Sequence, residues 1–411
     1  MAMSVEVGTF VANTGGTTTT VPTGFQGKAV ILISHGKADE TESAGATMAW
    51  GFFDGTNKVG KSWSGVDAVT TTDTTKSFDN TLGLRILATS GAPLQNVSSV
   101  AFNATPNMVL TWNSTPTVAW KITYILLGGS DITNVFVGND TIPTTAIPKS
   151  FTGFGFKPDA VLVISHGATP TSTGTQGTSS LGFVTDSPGS IKQWAWGGTT
   201  QDNQTTDAAV NAVSRLDNDK THIRISPTSG VLITSADCTN LDSDGFTLNF
   251  TAVSGTADRV GYIGFKGGYW DCGTQAKPST ATTQSVTGLA FIPKLLGYLL
   301  SSATSLATVT SDEIETFGAG TSPSARGYAG NYHKDVVTTN TVTRSAGSSA
   351  LISHEMNATA NMDFTSFESV GGWTGTWSAS GTAFQSAWFA VGDTLVVPGG
   401  LKGGYLLRTG L

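Results

Sequence analysis

The sequence predicts an all-β chain of three tandem antiparallel β-sandwiches, and three observations predict it. One module is written three times: residues 23–36 (TGFQGKAVILISHG), 151–167 (FTGFGFKPDAVLVISHG) and 287–302 (TGLAFIPKLLGYLLSS) each carry a Gly-aromatic turn, a short polar pair and an apolar run of strand length. The matching phenylalanines Phe25, Phe156 and Phe291 lie 131 and 135 residues apart. That period is well beyond the roughly 20–50 residues of solenoids and propeller blades, so each repeat is a whole domain. Third, turn residues separate many short β-rich runs and helical periodicity is nearly absent, which is the pattern of two-sheet antiparallel folds.

At 411 residues the chain is longer than one hydrophobic core supports, and the repeat sets the division. The expected domains are residues 1–130, 131–267 and 268–393, followed by a tail at 394–411. Ten Trp and twenty Phe supply enough apolar area to offset the entropy of ordering a Gly- and Thr-rich chain. The linkers at 129–134 and 266–269 are short, so the domains are expected to pack side by side, around a pseudo-threefold axis.

In the first repeat, Val7 to Phe10 opens the domain, a Thr-rich loop follows, and Lys28 to Ser34 forms the signature strand, buried on both sides. Met48 to Phe53 is an aromatic strand that turns at Asp54-Gly55, a dipeptide suited to the positive φ of hairpin turns. Strands at Leu82 to Leu87, Met108 to Trp112 and Val118 to Leu127 complete it. The second repeat follows the same plan most clearly. After its signature come a hairpin from Leu181 through the Asp186–Gly189 turn to Trp196, a strand at Thr221 to Ser226, and closing strands at Asp244 to Phe250 and Arg259 to Phe265. The third keeps the signature and the closing Ala387 to Gly392 but drifts between Ser311 and Gly330, where long apolar runs are missing. The tail, TLVVPGGLKGGYLLRTGL, has no counterpart in the other copies and reads as a strand added to the last sandwich or an arm laid on a neighbour.

A net charge of −7 and the lack of any basic run exclude a nucleic-acid partner on electrostatic grounds. No 18-residue apolar stretch or signal-type N-terminus appears, so the expectation is a product of the cytoplasm without a membrane partner. Cys238 and Cys272 are too few for a disulfide framework and lack zinc-site spacing; they read as buried thiols.

Each chemical motif has a simpler structural reading. Gly55 to Ser62 matches the G-x-x-x-x-G-K-[ST] phosphate loop letter for letter, yet Trp63 to Thr72 cannot be the helix that such a loop requires. His35 and His166 occupy the same Ile-Ser-His-Gly position, where the third repeat has Ser301-Ser302, so a histidine bonded to a loop carbonyl is expected. His354 falls in a similar string later in its repeat, and His222 and His333 lack partners at metal-ligand spacing. Asp237, Asp242 and Asp244 precede Gly245 without the alternating ligands and terminal glutamate of a calcium loop. No Gly-x-Ser-x-Gly elbow or glycosidase-like carboxylate pair stands out, so neither a catalytic set nor a cofactor or metal site is assigned, and the expectation is a non-enzyme. Trp194, Trp196, Trp373 and Trp377 sit beside Gly-rich turns and are the candidate ligand or partner contacts, since indoles at loop ends stack on sugars and proteins.

At the repeat level the chain resembles a domain type of bacteriophage structural proteins. The resemblance rests on Val7-Gly8-Thr9-Phe10, on Gly153 to Val161, on Asp244 to Leu248 and on Gly261 to Phe265, and spans residues 5–393 as three copies. It implies a virion component on the particle surface, decorating the head or attached to the tail, with other capsid or tail proteins as partners. The order of Gly-Thr-Phe strand, Phe-x-Pro turn and late Gly-Phe strand is also similar to H-type lectins, which implies host surface glycans as alternative partners. No sugar-binding residue of that family matches a position here.

Overall fold

The computed structural model describes residues 2–67, 73–167, 172–186, 189–202, 212–335, 342–348, 351–353, 361–378 and 381–395. Among these, all regular structure is β, in antiparallel sheets. Three seven-stranded sheets each face a four-stranded sheet, and a two-stranded ribbon completes the set. The signature strands Gly27–Ser34, Ala160–Ser165 and Leu295–Leu300 are each third in their seven-stranded sheet, flanked by the closing strand and the first strand of the aromatic hairpin. Nearly every side chain in them is buried, as a strand covered on both faces requires.

The reason both faces are covered is that the molecule has two kinds of core. Each sheet pair encloses its own apolar cluster: Val30, Leu32 and Phe53 lie in the first, Val161, Val163 and Phe246 in the second, and Tyr298, Trp373 and Trp377 in the third. The opposite faces of the seven-stranded sheets meet in a fourth cluster drawing Ile31, Trp50, Leu162, Phe183, Phe317 and Phe389 from all three repeats. Phe183 stacks on Phe389 at 4.8 Å and Trp50 meets Phe317 edge-on at 4.9 Å, so aromatic contacts tie the third repeat to both others.

The sheets are also laced together. Each six-stranded set is completed at its edge by a short strand from the next repeat: Ser172–Thr175 joins Thr74–Asp79, Thr310–Ser311 joins Val213–Asp217, and Ser43–Ala44 joins Val342–Gly347. The exchange is cyclic, from second to first, third to second and first to third. In every case the donated strand follows the loop that leaves the signature strand, so the Ile-Ser-His-Gly exit is where the chain crosses to its neighbour.

The polar residue at the entry to each signature strand latches a junction. Lys28 Nζ donates to the Ile132 carbonyl at 2.6 Å, Asp159 accepts from Gly267 N at 2.7 Å and Lys266 Nζ at 2.8 Å, and Lys294 Nζ reaches Asp393 at 2.6 Å and the Met3 carbonyl at 3.2 Å. Met3 N in turn donates to Asp393 at 2.7 Å. The three copies of one sequence position thus hold the two linkers and the meeting of the first strand with the end of the third repeat.

The drifted third copy contains the same hairpin, Glu313–Ser322 with Ala325–His333. Its Gly and Ala residues replace long apolar side chains where the sheets crowd. Of the tail, Thr394–Leu395 pairs with Phe291–Ile292 in a separate two-stranded ribbon; residues 396–411, like His354, Ser187 and Pro188, lie outside the described residues.

Candidate functional site

The four tryptophans singled out as contact residues are interior. Trp194, Trp196 and Trp373 are 0% exposed and Trp377 1% exposed, and all ten tryptophans of the chain are buried. Strand parity explains the correction. Trp194 and Trp196 share the face of Ile191–Thr200 that meets the central cluster, and Trp373 and Trp377 share the inward face of Gly372–Trp377 while Thr374 and Thr376 point outward. Gly197 and Gly198 lie within a strand where sheets approach closely, while Gly371 does close a turn, with Trp373 just inside the strand that follows it. A fully enclosed indole has no face left to stack on a ligand.

The densest chemistry lies where all three repeats meet. Lys61, the lysine of the phosphate-loop match, sits in the strand Lys58–Gly65 and is 1% exposed. Its Nζ is 3.0 Å from Glu315 Oε1, donates to the Ser180 carbonyl at 2.9 Å and bonds Ser179 Oγ. Glu315 also accepts from Trp50 Nε1 at 2.9 Å and Trp63 Nε1 at 2.8 Å, so both its oxygens are occupied. The string Gly55 to Ser62 is therefore a hairpin turn and strand, with its lysine turned into the core.

Strand register shows that this cluster occurs once. Trp50, Leu181 and Phe317 are opposite equivalent signature residues, which makes Met48, Ser179 and Glu315 counterparts, and likewise Lys61, Trp196 and Ala329. Two residues before Glu315 stands Glu313, 1% exposed, neither of whose oxygens has a hydrogen-bond partner. Burial, then the charge of Glu315, push its carboxyl well above the usual range, so it is held neutral. Burial likewise pushes the Lys61 amine downward, opposed by Glu315.

The paired histidines have different surroundings. His35 Nε2 bonds the Asp39 carbonyl at 2.9 Å, the loop-carbonyl role expected, and burial lowers its pKa to about 4. His166 instead presents its ring to Phe78 of the first repeat, centroids 5.6 Å apart, and faces the Ser77 backbone without a well-formed hydrogen bond. Burial lowers its pKa well below the ordinary histidine value, and the neighbouring Lys76 adds to this. Register makes Lys76, Ser214 and Arg344 counterparts. Arg344 donates to Gly36 O at 3.3 Å, and Ser214 Oγ bonds Ser302 Oγ. A cation therefore faces each exit bearing histidine and a serine faces the exit bearing serine, so the residue at the exit changes together with its partner across the junction.

Asp244 accepts from Gly153 N at 3.1 Å and Gly155 N at 2.6 Å, and these bonds hold its carboxyl below the ordinary range. It caps the Gly-Phe-Gly-Phe turn of the signature, while Asp242 bonds Thr247 at 2.7 Å. Cys238 and Cys272 are free, buried and in different core clusters; burial raises Cys238 to about 12 and Cys272 well upward. Open grooves run along the junctions. One is lined by Lys28, Asp54, Thr56, Phe102 and Asn134 between the first two repeats, another by Lys192, Gln193, Asp219 and Thr274 between the second and third.

Sequence reasoning missed the Lys61–Glu315 cluster. Its signal was the Glu-Ile-Glu alternation at 313–315, aligned with Met48 and Ser179 of the better copies.

No protein-family model matches the chain, and no curated protein matches it. Among solved structures it is similar, at 9% identity and a TM-score of 0.14, to the outer membrane channel DcaP of Acinetobacter baumannii, over 95% of this chain and 97% of that one. It is similar at 7% identity and a TM-score of 0.12 to beta-fructofuranosidase from Schwanniomyces occidentalis, over 92% and 96% of the two chains. A third, the TodX monoaromatic hydrocarbon channel, has 9% identity and a TM-score of 0.11 over 95% and 90%. Scores this low carry no argument about fold or function.

Proposed function

We propose that this protein is a non-enzymatic structural component of a bacteriophage virion, carried on the particle surface as a head decoration or tail-attached protein. The observation that carries the reading is the cyclic exchange of edge strands around a common core, which makes three repeats one rigid body with few free sheet edges. Such a body suits a part that must persist in an assembly. The strongly perturbed ionisable groups Lys61, Glu313, His166 and His222 are enclosed, with none presented to a solvent-filled cleft where a substrate would bind. The repeat-level resemblance points the same way. Purified particles of the phage encoding the chain test the reading: peptides of the protein should co-purify with particles through a density gradient, and labelled antibody should mark the head or tail surface. Particles free of the protein would refute it.

A second reading is a carbohydrate-binding adhesin, favoured by the junction groove in which Lys28, Asp54, Thr56 and Asn134 surround the half-buried ring of Phe102. Polar groups around one aromatic face suit a sugar. Binding on a glycan array that is abolished by Phe102→Ala would establish this role, and an array without binding would remove it.

A further inference from the structure

We propose that Lys61 and Glu315 condense into an amide, a covalent cross-link between the first and third repeats formed inside the folded chain. The amine nitrogen is 3.0 Å from a carboxylate oxygen, both side chains are at most 1% exposed, and strand pairing fixes both backbones, Lys61 between Trp50 and Phe78 and Glu315 opposite Asn331. Held in this way, the two groups react at the effective concentration of an intramolecular pair.

The surrounding residues supply what the reaction needs. Proton transfer along the 3.0 Å hydrogen bond converts the ammonium and carboxylate to a neutral amine and a carboxylic acid. The Lys61 lone pair then attacks Cδ of Glu315, forming the C–N bond. Negative charge gathers on the carboxyl oxygens, toward which Trp50 Nε1 and Trp63 Nε1 already donate at 2.9 and 2.8 Å, as oxyanion donors do. A proton passes from the nitrogen to the departing hydroxyl, with Glu313, a neutral carboxyl two residues along the same strand, as the neighbouring acid of the site. The C–O bond breaks and water leaves, so amine and acid become amide and water, with no oxidant or other reactant. Enclosure by Trp50, Trp63 and Trp196 keeps bulk water from reversing the step. The counterparts Met48 and Ser179, and Trp196 and Ala329, lack this chemistry, so the bond forms once per molecule.

The test is the intact mass of the denatured full-length protein, followed by a tryptic map. The expected result is a mass about 18 Da below that of the sequence, from loss of one water. The map should contain a branched peptide joining the Lys61 and Glu315 segments, with no cleavage after Lys61. Lys61→Met and Glu315→Leu should each run at full calculated mass. Glu313→Gln should keep the residues but contain mostly unlinked protein. On a denaturing gel the linked chain, closed into a loop between residues 61 and 315, should run ahead of both variants. A wild-type mass equal to that of the sequence, normal cleavage after Lys61, or a loss of water mapping elsewhere overturns the proposal. The wild-type measurement decides the matter even where a variant does not fold.

Discussion

Replacing Gly182 by alanine should be among the most damaging single-methyl changes in this protein. Gly182 lies mid-strand in Gly177–Asp186, where the chain entering the four-stranded sheet crosses it. A Cβ there would sit 1.7 Å from the Thr221 carbonyl oxygen and 2.7 Å from its carbon. Ordinary contact begins near 3.4 Å, so the crossing backbone must retreat by about 1.7 Å, and no rotamer change can relieve a clash with main chain. Thr221 N is bonded to the Ala236 carbonyl at 2.9 Å, so the retreat pulls on the next strand as well. Overpacking of a few methylenes costs about 1–3 kcal/mol where side chains can adjust, and a backbone clash belongs at or above the top of that range, about 3 kcal/mol or more. Gly155→Ala is the control: its φ of +70° strains an L-residue by about 1–2 kcal/mol, but nothing lies within 4 Å. Urea unfolding followed by tryptophan fluorescence measures both. If Gly182→Ala costs no more than Gly155→Ala, the account of the crossing is wrong. The third repeat repeats the geometry, Gly318 against Leu351 O at 1.6 Å, and Gly318→Ala should behave alike.

Three further outcomes follow from the ring. Heating should give one cooperative calorimetric transition with a total enthalpy near ~290 kcal/mol at 60 °C for 411 residues, since no repeat can melt without removing a strand and a core face from its neighbours; three resolved peaks would contradict the shared core. His35 is neutral when folded, with its pKa lowered to about 4 from 6.5, so its contribution is fully present above pH 6.5 and is lost as pH falls toward 4. His35→Gln should therefore reduce the acid sensitivity of the unfolding free energy by about 3 kcal/mol across that window, and an unchanged pH slope would refute the assignment. Asp393→Ala removes the acceptor of Met3 N and the partner of Lys294; hydrogen exchange at the start of Met3–Val11 should accelerate by at least tenfold, with a stability loss of about 1–3 kcal/mol.

Much of this architecture could be seen in the residues. Three signature strands, the hairpins beside them and the closing strands follow from repeats of one pattern, because a strand buried on both faces is a nearly continuous apolar run. The strand exchange was not legible, since Ser43–Ala44 and Thr310–Ser311 are two-residue pairings with partners in other repeats, at Thr343–Arg344 and Val213–Ser214, and nothing local encodes them. The tryptophans were misplaced for a related reason. Trp194 and Trp196 are on a strand face covered by the core shared between repeats, which a lone sandwich would expose, and Gly198 beside Trp196 is a close approach rather than a turn; Trp373 and Trp377 face the core of their own sheet pair. Lys61 was hidden by a motif that matched its neighbours' letters, while its partner lies 254 residues away.

Joining the repeats in one chain also frees them from a rule of symmetry. A trimer of identical subunits must place every residue near its axis three times, so one lysine there brings three like charges into a dry space, and a lysine and a glutamate at nonequivalent positions bring six ions. Here Lys61 and Glu315 occur singly, opposite Ser179 from the remaining repeat. Three repeats in one chain let one copy carry the cation, another the anion and the third a hydroxyl, a division of labour that identical chains cannot adopt. Mutations in the shared core of this protein are therefore borne once rather than three times, and that core can diverge residue by residue while the surrounding strands keep the repeat.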